Sequence, residues 1–196
     1  MTVTFWSRRE EGARGRVVPS RLAAGLLTGM VAVHMVLIVF GNVTDFGTNR
    51  EFVRHVLSMD TTFKDPDLMW RAVASRPLQD AAYLLIIAWE ALTAILLTLA
   101  CLTWVRALRP GPRAREALPR AHRLSSLGLL AVMLLFGGGF LTLGGEWFAM
   151  WQSEDWNGLD SALRNFLVAG VGWGVVQVSV RDEGSTHRNQ AGEGEV

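Results

Sequence analysis

The sequence predicts an all-α fold: a four-transmembrane-helix bundle with a small helical extracytoplasmic cap and both termini cytoplasmic. Three observations predict it. Four apolar runs approach or exceed the length a helix needs to cross a hydrocarbon core of roughly 30 Å. The arginines and lysines divide thirteen to six between alternate connectors, which sets orientation by the excess of basic residues on the cytoplasmic side. The connectors on the arginine-poor side carry apolar residues at helical spacing and a concentration of tryptophan, which is more than a plain linker needs. With half of the residues hydrophobic and 19% charged, a soluble domain would have to hold uncharged helices of unusual length.

Residues 1–20 read as an Arg-rich cytoplasmic N-terminus holding Arg8, Arg9, Arg14 and Arg16, and residues 21–180 as the membrane domain. The first span, about 22–41, follows Arg21 and contains His34. It is too long for the h-region of a removable signal peptide, which has about 7–15 apolar residues, and it leaves through Gly41, Asn42, Val43 and Thr44 rather than a small-residue cleavage site. The twin pair Arg8 and Arg9 is followed at once by Glu10 and Glu11, which is not the pattern of an export signal.

Residues 42–80 form the first outer loop. Phe52, Val53, Val56 and Leu57 recur at helical spacing, Asp60, Thr61 and Thr62 suit capping, and Asp67, Met69, Trp70, Ala72 and Val73 suggest a second short helix. The second span, about 81–105, has one carboxylate, Glu90, near its middle. Arg106, Arg109, Arg113, Arg115, Arg120 and Arg123 fill the next connector. The third span covers about 124–145 and is interrupted by Gly137, Gly138 and Gly139. A second outer loop, 146–160, carries Trp147, Trp151 and Trp156, of which the first two are one helical turn apart and share a face. From Asn165 to Val180 the fourth apolar run is only about 24 Å long as a helix. The span therefore reads as 161–180, with Arg164 snorkelling outward. The polar, Gly-rich segment 181–196 reads as a disordered cytoplasmic tail.

Glu90 is the leading intramembrane candidate, because a carboxylate at mid-span costs roughly 2.5 kcal/mol or more to insert. Tyr83, Ile86, Ile87, Thr93, Ala94, Leu97 and Cys101 share its face, which is smaller and more polar than the face of Leu85, Trp89, Leu92, Leu96 and Leu99. That face should turn into the bundle. His34 lies about 9 Å and Glu90 about 13 Å inside the outer ends of their spans, so a hydrogen-bonded pair is expected. Such a pair serves either as a packing device that fixes register or as a proton or cation relay.

Other constellations carry less. Gly25 with Gly29 and Gly170 with Gly174 are small-xxx-small pairs that permit close helix approach. Glu146 and Arg164, at the outer ends of spans three and four, suit an ion pair. Bis-histidine haem is not expected, since His34 is the intramembrane histidine while His55, His122 and His187 lie elsewhere. Glu51 and His55, with Asp60 or Glu146, have weak metal-ligand spacing, and Glu51 more readily pairs with a nearby arginine; no metal and no cofactor are expected. The single Cys101 rules out an intramolecular disulfide. Basic segments without interleaved aromatics or a binding module argue against nucleic acid; their expected partner is anionic lipid.

Two stretches resemble signatures of a bacterial family of predicted small integral membrane proteins, domain of unknown function 2165. One runs His55-Val56-Leu57-Ser58-Met59-Asp60-Thr61-Thr62-Phe63, preceded by Asn42, Thr44 and Asp45. The other runs Gly144-Gly145-Glu146-Trp147-Phe148-Ala149-Met150-Trp151-Gln152-Ser153 and continues to Trp156-Asn157-Gly158. The resemblance covers roughly residues 21–180 and implies no activity. It does imply an interest in the outer segments, where both signatures fall.

The expected protein is thus a non-enzymatic, multi-pass inner-membrane component that meets the bilayer and either a second copy or another membrane protein. His55, Asp60, Glu146, Trp147, Trp151, Trp156 and Asn157 are its candidate outer contact surface. A small proton-coupled transporter or channel using Glu90 with His34 is the alternative, and it would require oligomerisation because four spans leave little room for a path. An outward-facing enzyme built on His55, Asp60 and Glu146 has no nucleophile, phosphate loop or cofactor motif behind it.

Overall fold

The computed structural model describes the backbone of residues 3–193 and the side chains of residues 19–182. Its elements are α1 (Val3–Thr44), α2 (Phe46–Ser58), α3 (Arg76–Ala107), α4 (Pro112–Met133) and α5 (Leu159–Glu193), with no strand among the described residues. Single 3₁₀ turns occupy Met69–Arg71 and Met150–Gln152, and α4 runs on into a π-helical segment, Leu134–Trp147. Four helical stretches are long and apolar enough to cross a membrane: Pro19–Thr44, Arg76–Ala107, Pro112–Trp147 and Leu159–Asp182. Each contains an expected span and exceeds it.

The excess has a simple cause. Arginine is a good helix former, so the basic connector between the second and third spans stays helical except at Leu108–Gly111. Gly111, at φ 132°, supplies the backbone conformation that reverses the chain, and Pro112 opens α4 where its missing N–H costs nothing. In the same way α5 continues as helix to Glu193 through most of the segment expected to lack structure, since no proline stops it. The side chains of that segment beyond Asp182, and those of the N-terminal arginines up to Arg16, lie outside the described residues.

The bundle is a ring. α1 packs on α3 and α5, and α4 packs on α3 and α5, with α1 and α4 on a diagonal. Val31, Met35, Leu97, Trp104, Leu129, Val132 and Val176 are buried between them. The outer faces are apolar as well: Leu26, Leu37, Leu85 and Val171 are all 60% or more exposed. Helices apolar all round while exposed need hydrocarbon as their surroundings.

Close approach depends on small residues. A Cβ on Gly128 would lie 2.5 Å from Leu97 Cδ2, so α3 and α4 meet there through a missing side chain. Gly25 and Gly29 of the first expected pair do face a neighbour, resting against Trp104 and Cys101 of α3. In the second pair Gly170 has only Met133 near it and Gly174 has open space; Gly172, which the spacing does not single out, sits on Leu129.

The connectors 45–75 and 148–158 meet at the end of the bundle where α3 and α5 begin. α2 forms where the apolar spacing of Phe52, Val53, Val56 and Leu57 predicts it. The second short helix does not: it is reduced to the turn Met69–Arg71, because Ala72 becomes extended and the Val73 N–H donates to the Leu57 carbonyl instead.

Candidate functional site

Glu90 faces the bundle interior with Tyr83, Thr93, Ala94 and Leu97, as its helical neighbours predict, and is 2% exposed. Its Oε2 accepts a 2.6 Å hydrogen bond from Asn42 Nδ2, near the end of α1. Tyr83 Oη donates to the Asn42 carbonyl at 2.8 Å, and the Phe46 ring lies 4.9 Å from the tyrosine ring. Asn42 is thereby held twice by α3, which fixes where the end of α1 and the start of α2 sit.

The expected pair of Glu90 with His34 is not formed. His34 is exposed, and its Nε2 is 2.8 Å from Asn165 Oδ1 of α5. The reason is angular. Eight residues separate His34 from Asn42, which turns their side chains about 80° apart on one helix, so one meets α5 and the other α3. Depth alone made the two acidic and basic groups compatible; direction separated them.

Below Glu90 the interior is closed by Val31, Met35, Leu97, Leu129 and Val132, none more than 2% exposed. Beyond that apolar layer lies a second buried polar group. Ser125 Oγ accepts from Trp104 Nε1 at 2.8 Å and is 3.1 Å from Thr28 Oγ1. His122, which the sequence reading set apart from the intramembrane histidine, is buried there, 5.1 Å from the Trp104 ring and 3.3 Å from Ser179 Oγ. Trp89, on the face of α3 other than that of Glu90, donates to the Ala131 carbonyl of α4 at 3.0 Å.

At the end of the bundle the two connectors are joined side chain by side chain. His55 Nδ1 is 2.9 Å from both carboxylate oxygens of Asp60, and its ring stacks on Trp156 at 4.5 Å. Thr61 Oγ1 meets Ser153 Oγ at 2.8 Å, and Ser153 Oγ accepts from the Trp156 N–H at 3.0 Å. Gln152 Oε1 accepts from the Phe63 N–H at 3.0 Å, while Asn157 Oδ1 accepts from the Leu159 N–H at 3.1 Å, an Asx turn that leads into α5. Asp80 at the start of α3 holds Arg50 and Arg54 of α2, and Arg54 also holds Glu51. The hydrogen bonds that the Arg50 guanidinium donates to the Asp80 carboxylate raise it above its ordinary value, so it remains a cation throughout the working pH range.

Two expectations fail at this end. Trp147 and Trp151 do not share a helical face, because Ala149 adopts a left-handed conformation at φ 50° and breaks the helix between them. Each finds another partner: Trp147 packs edge-on to Trp70 at 5.5 Å, and Trp151 packs edge-on to Phe63 at 5.9 Å. The Arg71 guanidinium lies over the Trp147 ring at 5.1 Å and the Trp70 ring at 5.7 Å. Nor do Glu146 and Arg164 pair; both are exposed, and Arg164 Nη2 turns back to Ser161 Oγ at 2.9 Å. No three metal-ligating side chains converge among the described residues.

Beneath α2 an apolar cleft of about 410 Å³ opens between α2, α3 and the π-helical segment, lined by Phe52, Val56, Leu85, Trp89, Phe140 and Leu143 among others. The π-helical backbone around Gly139 and Gly144 forms one wall. Asn42, Asn165 and Ser153 are the residues that sequence reasoning passed over as partners. Asn42 and Asn165 were visible as amides at the edges of apolar runs, whereas nothing in the spacing marks Ser153 as the hub of two connectors.

A family model described as a predicted small integral membrane protein, DUF2165, matches residues 20–179. No curated protein and no solved structure matches the chain.

Proposed function

Because the chain belongs to the DUF2165 family of predicted small integral membrane proteins, we propose that it acts as a non-enzymatic accessory component of an inner-membrane assembly. In this reading both termini are cytoplasmic, the joined connectors face outward, and their aromatic surface receives another membrane protein. One observation carries the reading. Phe63 is 73% exposed, Trp70 70% and Trp151 53%, yet each ring is held in an edge-on pair at the end of the bundle. Large aromatic groups that are exposed and already ordered are what an interface centre requires, since little side-chain freedom remains to be lost on contact.

Proton-coupled transport centred on Glu90 and His34 has less support. The two groups have separate partners, and a buried apolar layer of Val31, Met35, Leu97, Leu129 and Val132 lies between Glu90 and the group of Thr28, Ser125 and His122. A relay through one protomer would have to cross it.

The test is purification from the native host in mild detergent, with mass and stoichiometry measured by light scattering and mass spectrometry. A stoichiometric membrane partner that is lost in Phe63→Ser/Trp151→Ala, while the helical content is kept, supports the reading. A defined homo-oligomer lost in the same variant moves the assignment to self-assembly. A monomer without a stoichiometric partner, or a complex indifferent to the variant, removes the aromatic surface as its basis.

A further inference from the structure

At the opposite end of the bundle, α3 and α4 flank a second, open cavity of about 410 Å³ lined by Thr103, Arg106, Arg113, Glu116, Ala117 and Arg120. The tight reversal at Leu108–Gly111 is what brings Arg106, on the last turn of α3, beside Arg113, on the first turn of α4. Arg113, Glu116, Ala117 and Arg120 follow one another at the helical spacing of a single α4 face. Three guanidinium groups and one carboxylate leave the cavity with two excess positive charges. None of the three arginines is bonded to a carboxylate among the described residues.

The apolar surface next to the cavity continues the same two stripes. On α3, Leu102 precedes Arg106 by one turn and Leu99 precedes Thr103 by one turn, and these leucines are 52% and 46% exposed. On α4, Leu124 and Leu127 follow Arg120 by one and two turns, and Leu127 is 48% exposed. Exposed leucines on both helices thus continue from the basic cavity along the flank of the bundle.

We infer that this cavity binds the phosphate headgroup of an anionic phospholipid, with the acyl chains lying along the leucine stripes of α3 and α4. The chemistry is that of guanidinium forks on phosphate oxygens, with each added cation strengthening the hold on an anionic headgroup. A soluble phosphate ester would satisfy the arginines but would leave the leucine stripes unused. The bilayer supplies both parts in one molecule. Glu116 limits the excess charge to two, which suits one or two phosphodiesters rather than a polyanion.

Native mass spectrometry of the full chain in detergent, titrated with phosphatidylglycerol or phosphatidylcholine, tests the assignment. The expected result is retention of phosphatidylglycerol in preference to phosphatidylcholine. In Arg113→Gln/Arg120→Gln the preference should fall on the order of thirty-fold, from two lost cation contacts. The control Arg109→Gln/Arg115→Gln removes the same charge from outside the cavity and should keep most of the preference. Circular dichroism and elution volume establish that each variant is folded. Equal binding of the two lipids by the wild type overturns the inference, as does an equal loss in the control, which would make the effect one of general surface charge. Displacement of the lipid by millimolar inorganic phosphate would also overturn it, by assigning the cavity to a free anion. Should Arg113→Gln/Arg120→Gln misfold, Arg106→Gln alone must still weaken the preference several-fold, and an unchanged preference refutes the site.

Discussion

The contact between Asn42 and Glu90 predicts a measurable coupling between α1 and α3. Glu90 is 2% exposed and receives its hydrogen bond from Asn42 Nδ2 at 2.6 Å. Asn42→Leu removes that donor and leaves a buried carboxyl without it, at an expected cost of roughly 1–3 kcal/mol. The Tyr83 bond to the Asn42 carbonyl survives, because it uses the backbone. Glu90→Leu removes the buried acceptor as well as the contact, and in Asn42→Leu/Glu90→Leu the two apolar side chains replace a polar pair of similar bulk. The double variant should therefore be more stable than the sum of the singles implies, by about 0.6–1.7 kcal/mol, the range of interhelical hydrogen bonds in membranes. Unfolding in mixed micelles by increasing fractions of a denaturing detergent, followed by circular dichroism, supplies the four free energies. A coupling below about 0.3 kcal/mol, the level at which independent sites add, refutes the register role. Glu90→Gln addresses the relay separately: it keeps the shape and an acceptor for Asn42, so assembly should be normal. A normally assembled Glu90→Gln protein that loses a proton-driven flux in vesicles would return the carboxyl to a transport role.

Further outcomes follow from the packing and from the ion pairs. Gly128→Ala places a Cβ 2.5 Å from Leu97 Cδ2, and Leu97 is 0% exposed with nowhere to move; it should destabilise by about 1–3 kcal/mol and lower the midpoint of thermal unfolding in detergent. Gly174→Ala has nothing within 4 Å of its new Cβ and should be neutral or stabilising by up to about 1 kcal/mol, so equal effects at the two positions would contradict the packing. Asp80→Asn removes the carboxylate that holds Arg50 and Arg54, and should speed amide exchange in α2 while leaving the bundle intact. A base raised above its ordinary value contributes stability that is present below that value and is lost only as pH rises past it. The protection of α2, corrected for intrinsic exchange, should therefore persist from neutral pH to about pH 10, well below the ordinary arginine value.

Residue composition and period made most of the fold legible. Long apolar runs can be satisfied in hydrocarbon only as helices, so three spans follow from run length and the fourth from a shorter run extended past Arg164. The inward direction of Glu90 followed from its position among Tyr83, Thr93, Ala94 and Leu97, because the 3.6-residue period fixes which residues share a face. Glu51 pairing with an arginine was legible for a similar reason, as Arg54 lies one turn away. The basic connector misled, since a charge run that marks topology does not mark the end of a helix.

What the sequence alone determined is therefore one-dimensional: which segments cross, which face of each is polar, and where the unusual residues cluster. Tertiary structure decided which face meets which. Asn42 rather than His34 reaches Glu90 because the ring order of the bundle puts α3 on one side of α1 and α5 on the other. Trp147 and Trp151 part company because one left-handed residue, Ala149, ends a helix that spacing would have continued. Arg106 and Arg120 share a cavity because a reversal at Gly111 folds two helix ends side by side. Period sets directions within a helix, but the partners along those directions depend on the angles between helices, and those angles come from contacts distant in sequence.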